Sequence, residues 1–328
     1  MLVLCGDLGG TKTLLQIARF TENQYEVLIQ ERYISADFNG LLPILNTFLA
    51  SCERQYSEPL YSACFAIAGP IEKNKANVTN LDWDIDANQI KNELDIGHVR
   101  LVNDFYAVAS AIELLKEPDY FCLQDPKQAE NNRNRAILGA GTGLGTALQI
   151  WTGENFQVVA TEGGHVDFAP GNKLEIELLQ YLMTKNGAVS YENILSGSGL
   201  VKIYDFFVAK NKLTNPLSEA MQNNDPAVII SQAALAKQEP LAEQALELFV
   251  QIYGRQAGNL ALTCLAYGGV YIAGGIAAKI ISKLQDGVFI QAFNNNHKMG
   301  HLLQKMPVKV IVNPDAGLIG AAYIASKM

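Results

Sequence analysis

Leu2-Val3-Leu4-Cys5-Gly6-Asp7-Leu8-Gly9-Gly10-Thr11-Lys12-Thr13-Leu14-Leu15-Gln16-Ile17-Ala18-Arg19-Phe20 opens the chain, and its reading decides the fold. Leu2 to Cys5 is a short apolar run, hence a strand. Gly6 to Thr13 reads as a Gly-rich turn, and Leu14 to Phe20 as a return strand. The element is therefore a β-hairpin, not a strand entering a helix. The Walker pattern GxxxxGK[ST] and the dinucleotide pattern GxGxxG are both absent. Such a hairpin can aim several backbone N–H groups at one anion, with glycine permitting close approach and Thr11 adding a hydroxyl. Asp7 adds a carboxylate, which suits a phosphate site only with a metal between the two. Without such a ligand, the same stretch is a plain turn containing an aspartate.

The hairpin has an echo. Ala136-Ile137-Leu138 reads as a strand, Gly139 to Thr146 as a second Gly-rich turn, and Ala147 to Trp151 as its return strand. Between Gly6–Ile17 and Gly139–Ile150, six of twelve positions are identical: Gly, Gly, Thr, Leu, Gln and Ile. Two related hairpins, one per domain, are expected, each with a phosphate-sized concavity. The chain of 328 residues is long for a single core, which agrees with two domains.

Between the hairpins lies His98-Val99-Arg100-Leu101-Val102-Asn103-Asp104-Phe105-Tyr106-Ala107-Val108-Ala109. Val99, Leu101 and Val102 read as a buried strand. Phe105, Val108, Ala109 and Ile112 then fall on one helix face. Asn103-Asp104 sits at the carboxyl end of the strand, where open α/β sheets face their ligands. Taken alone, Asp104 reads as a helix cap. Helices are also expected over Asn39–Arg54, Lys173–Asn186 (ended by Gly187), much of Gly199–Tyr267, and Ala277–Leu284. Asp315 opens a final Ala/Gly-rich helix. Val308–Val312 is a last strand, and Pro118–Arg135 reads as a loop crossing between domains. The stretch Asn77–Asp84 is either a surface loop or a substrate edge.

Two further turns carry polar side chains. Thr161-Glu162-Gly163-Gly164-His165-Val166-Asp167-Phe168 holds Glu162 and His165 three apart around a Gly-Gly pair. Zinc would need more ligands than are nearby; hydrogen bonding to a polyhydroxyl ligand suits the pair better than metal does. Ser190–Gly199 brings Glu192, whose ordinary reading is helix-start chemistry. Gly268–Ile276 is a strand ending in Gly274-Gly275, which reads as a tight strand-to-helix turn or as close backbone approach to a flat ligand such as a nucleobase.

Composition excludes some classes. Hydrophobic residues make up 49% and charged residues 18%, a globular balance. A net charge of −8 leaves no basic surplus for a nucleic-acid backbone, so no nucleic-acid partner is expected. No apolar run approaches the ~18–20 residues of a membrane span. The start of the chain has no signal-peptide pattern. The five cysteines show no metal-like spacing and are expected to be reduced, so a cytoplasmic protein is expected.

Taken in order, Gly6–Thr11, Asn103-Asp104, Gly139–Gly145, Glu162-Gly163-Gly164-His165-Val166-Asp167-Phe168-Ala169-Pro170, Leu195–Leu200 and Ile272–Ile276 resemble the bacterial glucokinases. The likeness runs from about residue 3 to residue 322. The hairpins and the Ala-Gly-Gly element alone are similar to the wider actin-like ATPase superfamily; the Glu162–Pro170 string is more specific. The resemblance implies an α/β fold of two ribonuclease-H-like (actin-like ATPase) domains with a cleft between them. The expected domains are 1–110 plus 313–328, and 111–312.

It further implies ATP-dependent phosphorylation of glucose at its 6-hydroxyl to glucose 6-phosphate, feeding glycolysis, in a protein that works as a homodimer. Asp104 matches the family's general base. Asn103, Gly143, Glu162, His165 and Glu192 match its sugar-contacting positions. Gly6, Asp7, Leu8, Gly9, Gly10 and Thr11 match its ATP phosphate loop. Gly141, Thr142, Gly274 and Gly275 are further ATP-contact candidates, and Asp7 would hold Mg²⁺ through water. Lys12 stands where Asn is common; Gly-Gly-Thr-Lys is more typical of the related repressor and sugar-kinase family, whose zinc motif follows the sugar-binding histidine. No cysteine follows His165 until Cys264, so zinc is not expected. The alternatives are another hexose as substrate, a sugar-responsive regulator, which would need a DNA-binding segment before Leu2, and a protein-binding ATPase, which would not need the Glu162/His165 turn.

Overall fold

A computed structural model describes residues 1–21, 25–52, 55, 56, 58–78, 81–126 and 132–328. The chain divides into two compact units: Met1–Asp119 with Asn313–Met328, and Tyr120–Val312.

In the first unit the strands are β1 (Leu2–Leu8), β2 (Lys12–Phe20), β3 (Tyr25–Ile34), β4 (Leu60–Ile67), β5 (Lys75–Val78), β6 (Trp83–Asp86) and β7 (His98–Asn103). Five of them form a sheet in the order β3-β2-β1-β4-β7. β1, β2 and β3 are antiparallel neighbours, whereas β1, β4 and β7 run parallel. Side chains alternate across a strand. Leu4 and Leu8 therefore face the helix Leu41–Cys52, packing with Ile44, Leu45 and Phe48. Val3 and Cys5 face Leu318, Ala321, Ala322 and Ala325 of the last helix, Ala316–Ala325. The same alternation puts Asp7 on the side of that last helix.

Several expectations need correction here. β1 runs on to Leu8, so Gly6 and Asp7 lie in the strand and not in the turn. The turn itself is Gly9–Lys12, closed by the pair Leu8↔Thr13 and by the Gly9 N–H donating to the Lys12 carbonyl at 2.9 Å. The first helix is Leu41–Cys52, and residues 53 and 54 of the expected Asn39–Arg54 segment lie outside the described residues. Asn77–Asp84 belongs to a two-stranded hairpin, β5 with β6, although residues 79 and 80 are not described. Trp83 there is buried, and its indole N–H donates to the Phe38 carbonyl at 3.2 Å.

In the second unit the strands are β8 (Tyr120–Gln124), β9 (Arg135–Ala140), β10 (Leu144–Trp151), β11 (Phe156–Thr161), β12 (Gly269–Ala273) and β13 (Val308–Ile311). Their order is β11-β10-β9-β12-β13-β8. β9, β10 and β11 are antiparallel, β9, β12 and β13 parallel, and β8 closes the far edge antiparallel to β13. Apart from β8, the pattern repeats that of the first unit. β8 falls inside Pro118–Arg135, where a loop was expected; residues 127–131 of that stretch are not described.

The echo is genuine in topology but slipped in register. An ungapped echo would pair Thr146 with Gly141, as Thr13 pairs with Leu8. Instead Thr146 pairs with Leu138, and the second turn is the shorter Gly141–Gly143, closed by Ala140↔Leu144. On the return strands the echo holds in burial: Thr13 and Thr146, and Gln16 and Gln149, are all buried polar groups. Each is satisfied as burial demands. Thr13 Oγ1 meets Ser35 Oγ at 3.1 Å, Thr146 Oγ1 meets Thr161 Oγ1 at 2.6 Å, Gln16 Nε2 donates to Tyr25 Oη at 2.8 Å, and Gln149 Oε1 accepts from Arg135 Nη1 at 3.0 Å.

The core of this unit is built around the 25-residue helix Pro240–Cys264. The region expected to be helical also holds Gly197–Lys210, Ser218–Met221 and Pro226–Leu235. The expected Ala277–Leu284 helix is two short ones, Gly275–Lys279 and Ile281–Leu284, broken at Ile280.

Candidate active site

In the first unit, β7 leads directly into the helix Asp104–Ala111. The cap is Asn103 and not Asp104: Asn103 Oδ1 accepts the N–H groups of Phe105 at 2.9 Å and Tyr106 at 3.3 Å. Its Nδ2 reaches the Gly69 carbonyl at 3.4 Å. Asp104 is the first helical residue, and its Oδ1 accepts the Phe105 N–H at 2.8 Å, which orients the carboxylate. Asp7 stands nearby. Burial, then the charge of Asp104 and more weakly that of Asp315, raises its carboxyl from 3.8 to about 6, against the opposing pull of Lys12. A methyl at Gly317 would lie 2.9 Å from Asp7 Oδ2, so the last helix can pass Asp7 only because residue 317 has no side chain.

Of the expected phosphate-loop residues, Gly9, Gly10 and Thr11 form the turn. Gly6 is buried between Phe65 and Leu15, which would crowd any side chain there, and Leu8 is buried in the core. These two hold the turn in place from inside the sheet.

In the second unit, three of the expected sugar-contacting residues converge. His165 lies between two carboxylates: Nε2 is 3.8 Å from Glu162 Oε2, and Nδ1 is 3.8 Å from Glu192 Oε1. Backbone hydrogen bonds set this up. Glu192 N–H donates to the Gly164 carbonyl at 2.9 Å, Tyr191 N–H to Val166 at 3.0 Å, and Phe168 N–H to Val189 at 2.9 Å. The two turns thus join as a short antiparallel ladder. Glu192 is not a helix-start residue; that role belongs to Ser196, whose Oγ accepts the Gly199 N–H at 3.1 Å. Glu192 Oε2 instead accepts the Leu144 N–H at 2.9 Å, beside Gly143. A Cβ at Gly143 would sit 2.5 Å from that oxygen, so Gly143 provides clearance for Glu192.

The second Gly-rich turn is braced on both sides. The Gly197 N–H donates to the Gly141 carbonyl at 2.9 Å, and Thr142 beside it is exposed. At the end of β12, Gly274 has φ +84°, a conformation natural to glycine, and a Cβ would strike the Ala140 carbonyl. The close approach foreseen at Gly274 is therefore to the chain's own β9, whereas Gly275 faces open space. Sequence reasoning passed over Tyr253, whose buried hydroxyl accepts the Ala140 N–H at 3.1 Å and so holds the start of that turn. It also passed over the ion pair between fully buried Glu175 and part-buried Arg255. Their signal is faint: a Glu and an Arg within otherwise ordinary helical stretches.

Two α/β units, each with three antiparallel strands continued by two parallel ones, carry Gly-rich hairpins; this is the actin-like ATPase fold of sugar kinases. The glucokinase family model matches residues 4–328. A glucokinase of Nostoc punctiforme is 44% identical, covering 100% of this chain and 99% of its own. One of Synechocystis is 40% identical, covering 99% and 98%. Among solved structures, a glucokinase from an Antarctic psychrotroph superposes with a TM-score of 0.88 at 28% identity, over 100% and 99% of the two chains. A ROK family glucokinase from Streptomyces griseus, in complex with glucose and AMPPNP, shares the fold at a TM-score of 0.64 and 18% identity, over the whole of both chains. The chain belongs to the glucokinase family, enzymes that transfer a phosphoryl group from ATP to glucose.

Proposed function

We propose that the glucokinase reaction in this chain, transfer of the γ-phosphoryl of ATP to the 6-hydroxyl of glucose, is carried by Asp104 as general base. Glu162, His165, Glu192 and Asn103 bind the sugar. The observation that carries this reading is His165 flanked at 3.8 Å by Glu162 and Glu192, a set of acceptors suited to a polyol. Such a site rejects analogues lacking a hydroxyl, because a polar group that the bound sugar takes out of water is then left unpaired.

A sugar hydroxyl is too weak an acid to ionise at neutral pH. The Asp104 carboxylate accepts its proton as the bond to phosphorus forms, and the rest of catalysis is positioning and charge neutralisation. The turn Gly9–Thr11 and residues Gly141 and Thr142, with Gly274 and Gly275, bind ATP, while Gly143 stays on the sugar side; AMPPNP in the Streptomyces griseus relative is consistent with ATP as donor. The product feeds glycolysis.

Mg²⁺ suits Asp7. The carboxylates of Asp104 and Asp315 act on it against the opposing charge of Lys12, so a divalent cation would relieve their repulsion. Among the described residues no three His, Cys, Asp or Glu side chains could hold a metal on their own. That fits an ion bound chiefly by phosphate and water, as Mg²⁺ prefers. When bound, it neutralises phosphate charge. The expected working form is a cytoplasmic homodimer, on the strong prior for two-fold assemblies. No helix among the described residues is long and apolar enough to cross a membrane.

The test is ATP consumption with Mg²⁺ against glucose, mannose, fructose, N-acetylglucosamine and no sugar, for the wild type and Asp104→Ala. Turnover is expected largely with glucose, and Asp104→Ala is expected to bind glucose but lose about 10²–10⁴-fold in kcat. Preference for another sugar would overturn the substrate assignment; normal turnover of the variant would overturn the base.

A further inference from the structure

The helix Pro240–Cys264 reaches the ladder behind His165 and Glu192 with two side chains four residues apart, which places them on one helix face. The first is Arg255. Its Nη2 donates to Glu175 Oε1 at 2.8 Å. Glu175 is fully buried in the first turn of the helix Lys173–Asn186. Its Oε2 accepts the Gly171 N–H at 2.6 Å, and Oε1 accepts from Asn172 Nδ2 at 2.8 Å. Asn172 answers with its Oδ1, which accepts the Glu175 N–H at 3.0 Å. The guanidinium lies so close over Gly171 that any Cβ there would collide with it. The second side chain is Asn259, whose Nδ2 donates to the Tyr191 hydroxyl at 3.2 Å. Tyr191 in turn meets Phe168 edge-on, with ring centroids 5.5 Å apart.

Both strands of the ladder are therefore tied to one rigid helix. Residues 164–168 are followed at once by the Gly171-Asn172 segment held by Glu175 and Arg255, and residues 189–192 are held through Tyr191. We propose that Arg255 and Glu175 are positioning residues for sugar binding: the pair, its carboxylate fully buried, fixes the chain just beyond Phe168 and thereby sets where His165 and Glu192 stand. This rests on the reading of those two residues as sugar contacts. Stability alone does not call for the pair, since a buried ion pair can often be replaced by apolar residues without loss. Arg255 Nε is moreover buried without a hydrogen-bond partner. What apolar residues could not supply is the acceptor that Gly171 and Asn172 share. Misplacement of a binding group by about 1 Å can cost ~10²-fold.

The experiment measures KM for glucose, KM for ATP, kcat and Tm in the full chain for Arg255→Met, for the double variant Glu175→Met with Arg255→Met, and for His165→Ala. The double variant strands no charge, so it keeps the test open should Arg255→Met unfold. In both clamp variants glucose KM is expected to rise about 10-fold or more while ATP KM stays within about twofold. A folded double variant with unchanged glucose KM, or with both KM values raised by the same factor, overturns the proposal. His165→Ala separates the two readings. If it raises glucose KM and the double variant does not, the clamp alone is wrong. If it does not raise glucose KM, the sugar-site reading falls and the clamp's role falls with it.

Discussion

Asp7 is where single residues bear most directly on stability. Its carboxyl titrates near 6 in the folded protein because of burial and the charges of Asp104 and Asp315. Below about pH 3 it is protonated in folded and unfolded chains alike, and nothing is lost. As pH rises from there through 6, the unfolded chain ionises it freely while the folded chain does so at a cost, so stability falls and then stays low. In the absence of divalent cations, Asp7→Asn should therefore match the wild type at about pH 3 and exceed it by about 1–3 kcal/mol above about pH 7. Urea unfolding at the two pH values reads the difference; equal stability at pH 7.5 would show that the carboxylate is not strained.

How legible the site was also depends on the residue. Glu162 and His165 could be paired from their spacing and the glycines between them. The arrival of Glu192 could not, because the ladder joining residues 164–168 to 189–192 leaves no local pattern. Gly143 is a sugar contact by the family resemblance, and the structure adds that its bareness makes room for Glu192.

Among elements, the contact that holds the Asp104 helix is that of Asp104–Ala111 against Ala316–Ala325. A Cβ at Gly320 would run into the Ala107 carbonyl, which is backbone and cannot swing aside. Gly320→Ala must therefore push the two helices apart. The expected cost is about 1–3 kcal/mol, the usual range for overpacking, together with a lower kcat because Asp104 begins the displaced helix. Denaturant midpoints and initial rates check both; an Ala variant as stable and as active as the wild type would mean that the helices do not rely on this contact.

Hairpin and helix identities were readable because apolar periodicity and Gly-rich turns are local signals. Register was not. Six identities in twelve positions suggested superposable hairpins, but the turn decides pairing, and a second turn that is one residue shorter and also begins one residue earlier slips the first strand by three. β8 escaped notice for a related reason: Tyr120–Gln124 is only five residues long and lies beside polar sequence, and it becomes a strand by pairing with β13, nearly two hundred residues away.

At the scale of the whole chain, the cores follow the two units. One apolar cluster lies wholly within residues 121–312, and the other two draw only on residues before 120 and after 312. The second unit is a continuous segment whose two ends are neighbours, since Tyr120 pairs with Ile311. The first unit is closed by the chain's last helix, which supplies Leu318, Ala321, Ala322, Ile324 and Ala325 to a core otherwise built from residues before 120.

Excision should therefore be asymmetric. A fragment of residues 120–312 keeps its entire core and is expected to fold, showing a cooperative thermal transition and dispersed amide resonances. A fragment of residues 1–119 lacks the last helix and uncovers Val3, Cys5, Cys64 and Ala66 on one face of its sheet, so it is expected to be molten or aggregated. Adding residues 313–328 back as a separate peptide should restore cooperative unfolding to the second fragment, because the missing contacts are apolar and need no covalent link to form. Circular dichroism melts of the three samples decide it. A cooperative 1–119 fragment would remove the last helix from its essential place in the first core, and an unfolded 120–312 fragment would show that the long central helix and its sheet are not self-sufficient.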